Sequence, residues 1–331
     1  MRSFWTPQVG RLSLLVLLTL LVVQLVIIWP RDVNEISTQA EKSKVGWQPL
    51  AEDIEQVMSS VHLVEARQGL REWELWADQA QSLRGQERWN LFEVKAVFFS
   101  AEGAQFTVTG ARGVVELLTK NIRVEGEVLI RSANGYEYRT ETVIYSSEDR
   151  RLNSPTQVKM LEPRNEFGQG LSLTGDSLDA DLVTSQVFVQ GNVHGVQGLE
   201  RGREFDIRSH TAEFSGLKRM GVFVGNVVMD WDNMRVTGSR AEFEYDAPTQ
   251  QVKRVLVGGG VRAWDDEKRV TSKTVRAYLS ERRFVFEGQP RVVQDRDELQ
   301  GERIVLLDGG TQVIVERARA RVEKESLEKV N

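Results

Sequence analysis

The sequence predicts an all-β fold of stacked antiparallel hairpins, forming two facing sheets behind one N-terminal transmembrane helix. Three observations predict it: an uncharged apolar run near the start, short runs of alternating apolar and polar residues from Val61 onward, and a repeat of roughly thirty residues that organises those runs.

The apolar run occupies residues 12–29 (LSLLVLLTLLVVQLVIIW), 18 residues without a charge. As a helix it reaches roughly 27 Å at about 1.5 Å per residue, enough to cross the hydrocarbon core of a bilayer. It is apolar on every side, whereas a helix packed on a soluble core shows one dry stripe. Arg2 and Arg11 precede it, so the positive-inside bias places residues 1–11 in the cytoplasm and the remainder outside. The stretch VIIWPRDVNE (26–35) offers no small-x-small cleavage signature, so the helix is expected to stay as an anchor rather than leave as a signal peptide. Residues 30–60 are polar, are interrupted by Pro30, Gly46 and Pro49, and read as a tether.

Composition narrows the function classes. The 331 residues are 40% hydrophobic and 27% charged with 7 prolines, the profile of a folded chain. A formal net charge of -5 argues against nucleic acid, whose phosphates need a basic surface. With no cysteine there are no disulfides, thiolate nucleophiles or cysteine zinc sites.

Seven copies of one unit begin at Thr109, Thr140, Thr174, Ser209, Thr237, Thr271 and Gln300. Each opens with a strand and returns through a second one that usually holds a glycine followed two residues later by valine, as in VEGEV (124–128), VQGNV (189–193) and FVGNV (223–227). Glycine within a strand weakens it, so these positions are expected to mark a bend or a close backbone approach.

Side chains on a strand alternate between faces, so residues two apart share one. Counting by twos puts Ile122, Val124, Val128 and Ile130 on one face, and likewise Val187, Val189 and Val193; Phe223, Val227 and Met229; Val255, Val257 and Val261; Phe284 and Phe286. Arg123, Glu125, Glu127, Gln190, Asn192 and Arg254 take the other face. Opening strands follow the same rule with Val143 and Tyr145, Ala212 and Phe214, and Ala241 and Phe243, as do Val158 and Met160. Two sheets stacked on such dry faces form a quasi-one-dimensional sandwich with an open edge at each end, available for pairing.

Constellations with catalytic promise are few. Asp176, Asp179 and Asp181 alternate with Leu178 and Ala180 and read as a solvated strand face rather than a calcium or carboxylate site. Asp265, Asp266 and Glu267 read as a turn. His62, His194 and His210 are too scattered for a metal triad, and no cofactor is expected.

Four stretches carry a family resemblance: RQGLREWELWADQAQ (67–81), TGARGVVELLTKNIRVEGEVLIR (109–131), TETVIYSSEDRRLNSPTQV (140–158) and GQGLSLTGDSLDAD (168–181). Together with the anchor they resemble the LptC family of lipopolysaccharide export. After a short linker expected at GVQGLERG (195–202), the segment 205–322, with IRSHTAEFSG, VTGSRAEFEYD and VTSKTVRAYLSE, resembles the soluble LptA, or OstA-like, partner. Typical LptC proteins stop after the first block, so this chain departs from the pattern by continuing.

The resemblance implies a twisted β-jellyroll, open along one side. It implies two such blocks at 61–195 and 203–323, separate or continuous, with 324–331 as a charged tail. It further implies a non-catalytic, single-pass inner-membrane protein with its bulk in the periplasm. The implied partners are lipopolysaccharide, the inner-membrane ABC transporter that extracts it, and other β-jellyroll bridge proteins joined edge to edge. The groove implied for acyl chains comprises Ile122, Val124, Val128, Ile130, Val143, Tyr145, Val158, Met160, Val187, Phe188, Val189, Val193, Phe214, Phe223, Val227, Met229, Phe243, Val257 and Phe286. Within it, Ile122, Val124, Ile130, Phe188, Phe223 and Phe286 are the bulky members expected near the hairpin openings. Two other readings compete: a structural envelope scaffold that assembles through its strand edges without carrying lipid, and a polysaccharide-acting β-solenoid enzyme. The spread of acidic residues over turns and wet faces disfavours the enzyme.

Overall fold

Alternating dry and wet residues form strands throughout. A computed structural model describes residues 54–67, 69–100, 105–163, 170–198, 204–215, 220–245 and 252–321. The expected cytoplasmic segment 1–11, anchor 12–29, tether up to residue 53 and tail 324–331 lie outside the described residues.

Long strands β1 (Ile54–Arg67), β2 (Leu70–Leu83), β3 (Arg88–Phe99), β4 (Gln105–Glu116), β5 (Ile122–Ser132) and β6 (Glu137–Ser146) pair antiparallel in succession. Short strands β7 (Arg151–Ser154), β8 (Val158–Leu161), β9 (Leu171–Gly175) and β10 (Ser177–Asp181) follow. The long strands resume with β11 (Gln186–Gly198), β12 (Glu204–Ser215), β13 (Met220–Trp231), β14 (Met234–Tyr245), β15 (Val252–Trp264) and β16 (Lys268–Tyr278). The chain ends in β17 (Arg283–Glu287), β18 (Arg291–Gln294), β19 (Asp297–Gln300), β20 (Arg303–Leu307), β21 (Gln312–Glu316) and β22 (Arg319–Arg321), with a single 3-10 turn, Asp308–Gly310, between β20 and β21.

A crease runs across all of these strands. In β5 the pairing register breaks between Glu125 and Val128, and the two residues between, Gly126 and Glu127, take φ of 82° and 49°. The same pair of left-handed residues recurs at Gly191 and Asn192 in β11, Gly225 and Asn226 in β13, and Gly259 and Gly260 in β15. Glycine and asparagine are the residues that enter this region at least cost. The expected bends are therefore β-bulges, and each sends the two halves of a long strand into different sheets. Short strands make the same crossing by breaking: β6 pairs with β7 through Ile144–Ser146 and with β8 through Glu137–Arg139, with Pro155 between the two partners. On the opening strands the crease is crowded. A Cβ on Gly110 would lie 2.6 Å from Val124 Cγ1, and one on Gly238 2.7 Å from the Gly258 carbonyl oxygen. Hydroxyls of Ser209 and Ser272 donate to the Thr211 and Thr274 carbonyls at 2.9 Å, pairing acceptors that the register shift frees.

The result is an all-β jellyroll of two ladders, one running through β8, β9, β18, β19 and β22, the other through β7, β10, β17, β20 and β21. Their inner faces share one apolar core. β1 forms one free end; β21 and β22 form the other.

Two boundaries differ from expectation. The first strand opens at Ile54, not at residue 61, because nearly all of its early residues are exposed on both faces and leave no alternation to read. β11 continues through Gly195 to Gly198, where a linker was expected, and Gln197 pairs with Phe205. Gly195 serves packing rather than turning: a Cβ there would sit 3.0 Å from Ile207 Cγ2.

Candidate functional site

The interior between the two ladders is the candidate site. Ile122, Val124, Val128 and Ile130 of β5 are buried, as are Val143 and Tyr145 of β6, Val158 and Met160 of β8, and Val187, Val189 and Val193 of β11. Phe223, Val227 and Met229 of β13, Phe243 of β14, Val257 of β15 and Phe286 of β17 continue the same surface. Same-parity residues stay inside on both sides of each bulge because the two left-handed residues turn the strand without changing which face looks inward.

Two candidates depart from this set. Phe188 lies between Val187 and Val189 in β11, so its side chain stands on the outer face, across from Asp179 and Glu213, and is only half-buried. Its bulk favoured it in the sequence, but its parity did not. Phe214 faces inward yet is half-buried, edge-on to Phe223 at 6.0 Å between centroids.

Aromatic rings join the two inner faces at three places: Phe98 with Tyr145 at 4.6 Å, Phe205 with Phe243 at 5.7 Å, and Trp231 with Phe284 at 5.0 Å. The faces are thus in contact. Some polar groups sit within this apolar space. The indole N–H groups of Trp73 and Trp231 have no acceptor among the described residues. Tyr136 Oη donates to Glu162 Oε1 at 2.9 Å, and the Leu171 N–H donates to Glu162 Oε2 at 3.0 Å. Burial pushes the Glu162 carboxyl above its ordinary range despite these donors. Burial and then the Glu162 charge raise Tyr136, Tyr138 and Tyr245, which stay neutral.

Acidic clusters are structural. Arg151 Nε donates to Asp179 Oδ1 at 3.0 Å, and Asp176 accepts from Asn192 at 2.7 Å. Asp181 caps the next turn by accepting the Val183 and Thr184 N–H groups, each at 2.9 Å; burial works against its charge, but these donors hold its carboxyl below the usual range. Asp265 accepts the Glu267 and Lys268 N–H groups at 2.8 and 2.6 Å, which is turn chemistry. The three histidines sit apart: His62 stacks on Trp76 at 4.8 Å, His194 meets Asp206, and His210 lies beside Asn226. Among the described residues no cluster of His, Asp and Glu has metal-binding geometry.

An ion cluster around a buried carboxylate escaped the sequence reading. Glu72 is 4% exposed and pairs with Arg67 and Arg150. The signal in the sequence was Glu72 standing directly beside Trp73.

Residues 14–198 match the family described as lipopolysaccharide-assembly, LptC-related. The chain belongs to that family. Residues 206–310 match the family of LptA and the LptD N-terminal domain, a lipopolysaccharide transport protein, so an LptC segment precedes an LptA-like one. Among solved structures, LptH of Pseudomonas aeruginosa, the LptA-homologous periplasmic component of the conserved lipopolysaccharide transport device, aligns at 17% identity over 36% of this chain and 94% of its own, with a TM-score of 0.33. No curated protein matches. Both families serve lipopolysaccharide transport without catalysis, and this LptC-related chain is a periplasmic bridge protein of that transport.

Proposed function

We propose that this LptC-related chain receives lipopolysaccharide from an inner-membrane ABC transporter and passes it between its two sheets, through both family segments, toward the outer membrane. One dozen-carbon acyl chain in water costs on the order of 10 kcal/mol at about 0.8 kcal/mol per CH₂, so crossing the periplasm requires continuous apolar cover. The observation that carries the reading is that cover: β11 and β12 pair from Gln186 with Ser215 to Gly198 with Glu204, so the dry interior runs without interruption from the LptC segment into the LptA-like one. Residues 12–29 serve as the single membrane crossing, and 30–53 as the tether. The free end at β1, into which the tether leads, lies toward the transporter; the end at β21 and β22 pairs with the next bridge protein.

Photocrosslinking residues placed singly at Ile122, Met160, Phe223 and Phe286 in intact cells test this. Lipopolysaccharide adducts are expected from all four. Adducts confined to Ile122 and Met160 would show that the second segment carries no lipid. Their complete absence from a chain that still supports growth would favour the scaffold reading.

A further inference from the structure

At the β1 end, hairpin turns that belong to the two different ladders are tied together. Register between β1 and β2 breaks between Glu65, paired with Trp73, and Ala66, paired with Arg71, which leaves Glu72 as the extra residue of a bulge. That bulge is why the consecutive residues Glu72 and Trp73 are both buried. Two guanidinium groups meet the Glu72 carboxylate from opposite lips. Arg67, at the end of β1, places Nε 3.1 Å away; Arg150, in the turn between β6 and β7, places Nε 3.8 Å away.

Each arginine also reaches across to the other lip. Arg67 Nη2 donates to the Ser147 carbonyl at 3.1 Å, and Arg150 Nη2 donates in the reverse direction to the Phe99 carbonyl at 2.8 Å. The Ser147 N–H donates to Asn121 Oδ1 at 3.0 Å, fixing the turn that Arg67 grips, and Lys120 adds a looser contact to Glu65 at 3.9 Å. Directly beneath, Phe98 and Tyr145 close the interior. Farther along the molecule Asp232 and Arg282 meet more loosely, at 3.9 Å.

A buried carboxylate held by partly exposed arginines is a costly way to tie two apolar sheets together, because well-packed apolar residues usually do it as well. It also differs from apolar packing in breaking as a unit when one partner is displaced. We propose that Glu72, Arg67 and Arg150 form a latch across the open side of the jellyroll, and that lipopolysaccharide enters the LptC segment sideways when this latch opens. The proposal rests on the lipid-bridge reading and adds the route of entry and the residues that control it. Arg67 and Arg150 hold the lips, while Glu72 positions both.

The chain has no cysteine, so a single introduced pair can be addressed. In full-length chain carrying Glu65→Cys and Lys120→Cys, a short thiol-reactive linker with a reducible centre locks the lips without touching the latch. The readout is lipopolysaccharide adduct formed in intact cells from a photocrosslinker at Met160. Locking is expected to lower the yield at least fivefold, and reducing the linker to restore it. Equal yields from locked and unlocked chains would overturn sideways entry. No adduct from the unlocked chain would instead sink the bridge reading itself. In parallel, Glu72→Gln and Arg150→Gln, each checked for a native β-sheet spectrum, are expected to raise the yield about twofold or more; a folded variant with unchanged yield would show that the cluster is not the latch.

Discussion

At the residue scale, alternation in the sequence was enough to sort inside from outside, since burial on a strand follows parity and parity can be counted. It failed where backbone geometry broke the count. Phe188 looked like a groove residue by size but points outward, and Glu72, which the sequence reading passed over, is turned inward by a bulge. The crease glycines give a direct test. Gly110→Ala places a methyl 2.6 Å from Val124 Cγ1 at the most crowded line of the fold, and is expected to destabilise by roughly 1–3 kcal/mol, as overpacking does. Gly198→Ala, with open space around it, is expected to change stability by no more than a few tenths. Urea unfolding of both variants checks the contrast; equal effects would mean the crease relaxes freely. Glu162 gives a second test, through pH. Its folded pKa lies above the unfolded one, so the stability it contributes is fully present below the ordinary glutamate value and is lost as pH rises through the raised one. Glu162→Gln keeps partners for Tyr136 and the Leu171 N–H but cannot ionise. The stability of wild type relative to this variant is expected to fall as pH rises from 4 to 8, and a constant difference would show that the carboxyl titrates as it does unfolded.

At the scale of elements, the repeat was legible because every unit needs the same crossing from one sheet to the other, and few residues make it. Unit starts at Thr109 and Thr237 fall on the crease, beside the glycines that have no room for a side chain. The edge strand β1 was only half legible, since a strand with two wet faces carries no alternation. That same exposure makes it the element to probe for partners. Val64 at 51% exposed and Ile314 in β21 at 49% stand near opposite ends of the ladder order. Photocrosslinkers at these two positions are expected to capture two different proteins, the transporter from Val64 and a further bridge protein from Ile314. Capture of one and the same protein from both would contradict a head-to-tail arrangement.

At the scale of the molecule, the question is whether the LptC and LptA-like segments behave as two bodies or one. A sequence pattern reports which residues neighbour one another along a strand, and says little about whether hydrogen bonding continues across a glycine-rich stretch; hence residues 195–198 read as linker and prove to be strand. Two physical ties cross the family boundary. β11 and β12 pair along their length, and Tyr136 of the first segment and Tyr245 of the second pack against the same apolar core. In a ladder whose rungs contact mainly their neighbours, removing rungs lowers stability stepwise and bares the inner edge. A chain ending at Gly198 therefore keeps β1 to β11 but exposes the whole edge of β11, a 13-residue strand with an apolar inner face. It is expected to associate through that edge, visible as a dimer or larger species by light scattering, and to melt several degrees below the full-length chain. Losing its neighbour also uncovers Glu162, so the pH dependence expected of the full chain should weaken in the fragment. A monomeric fragment that melts at the full-length temperature and keeps the same pH profile would establish instead that the two segments are independent bodies that share no more than a peptide connection.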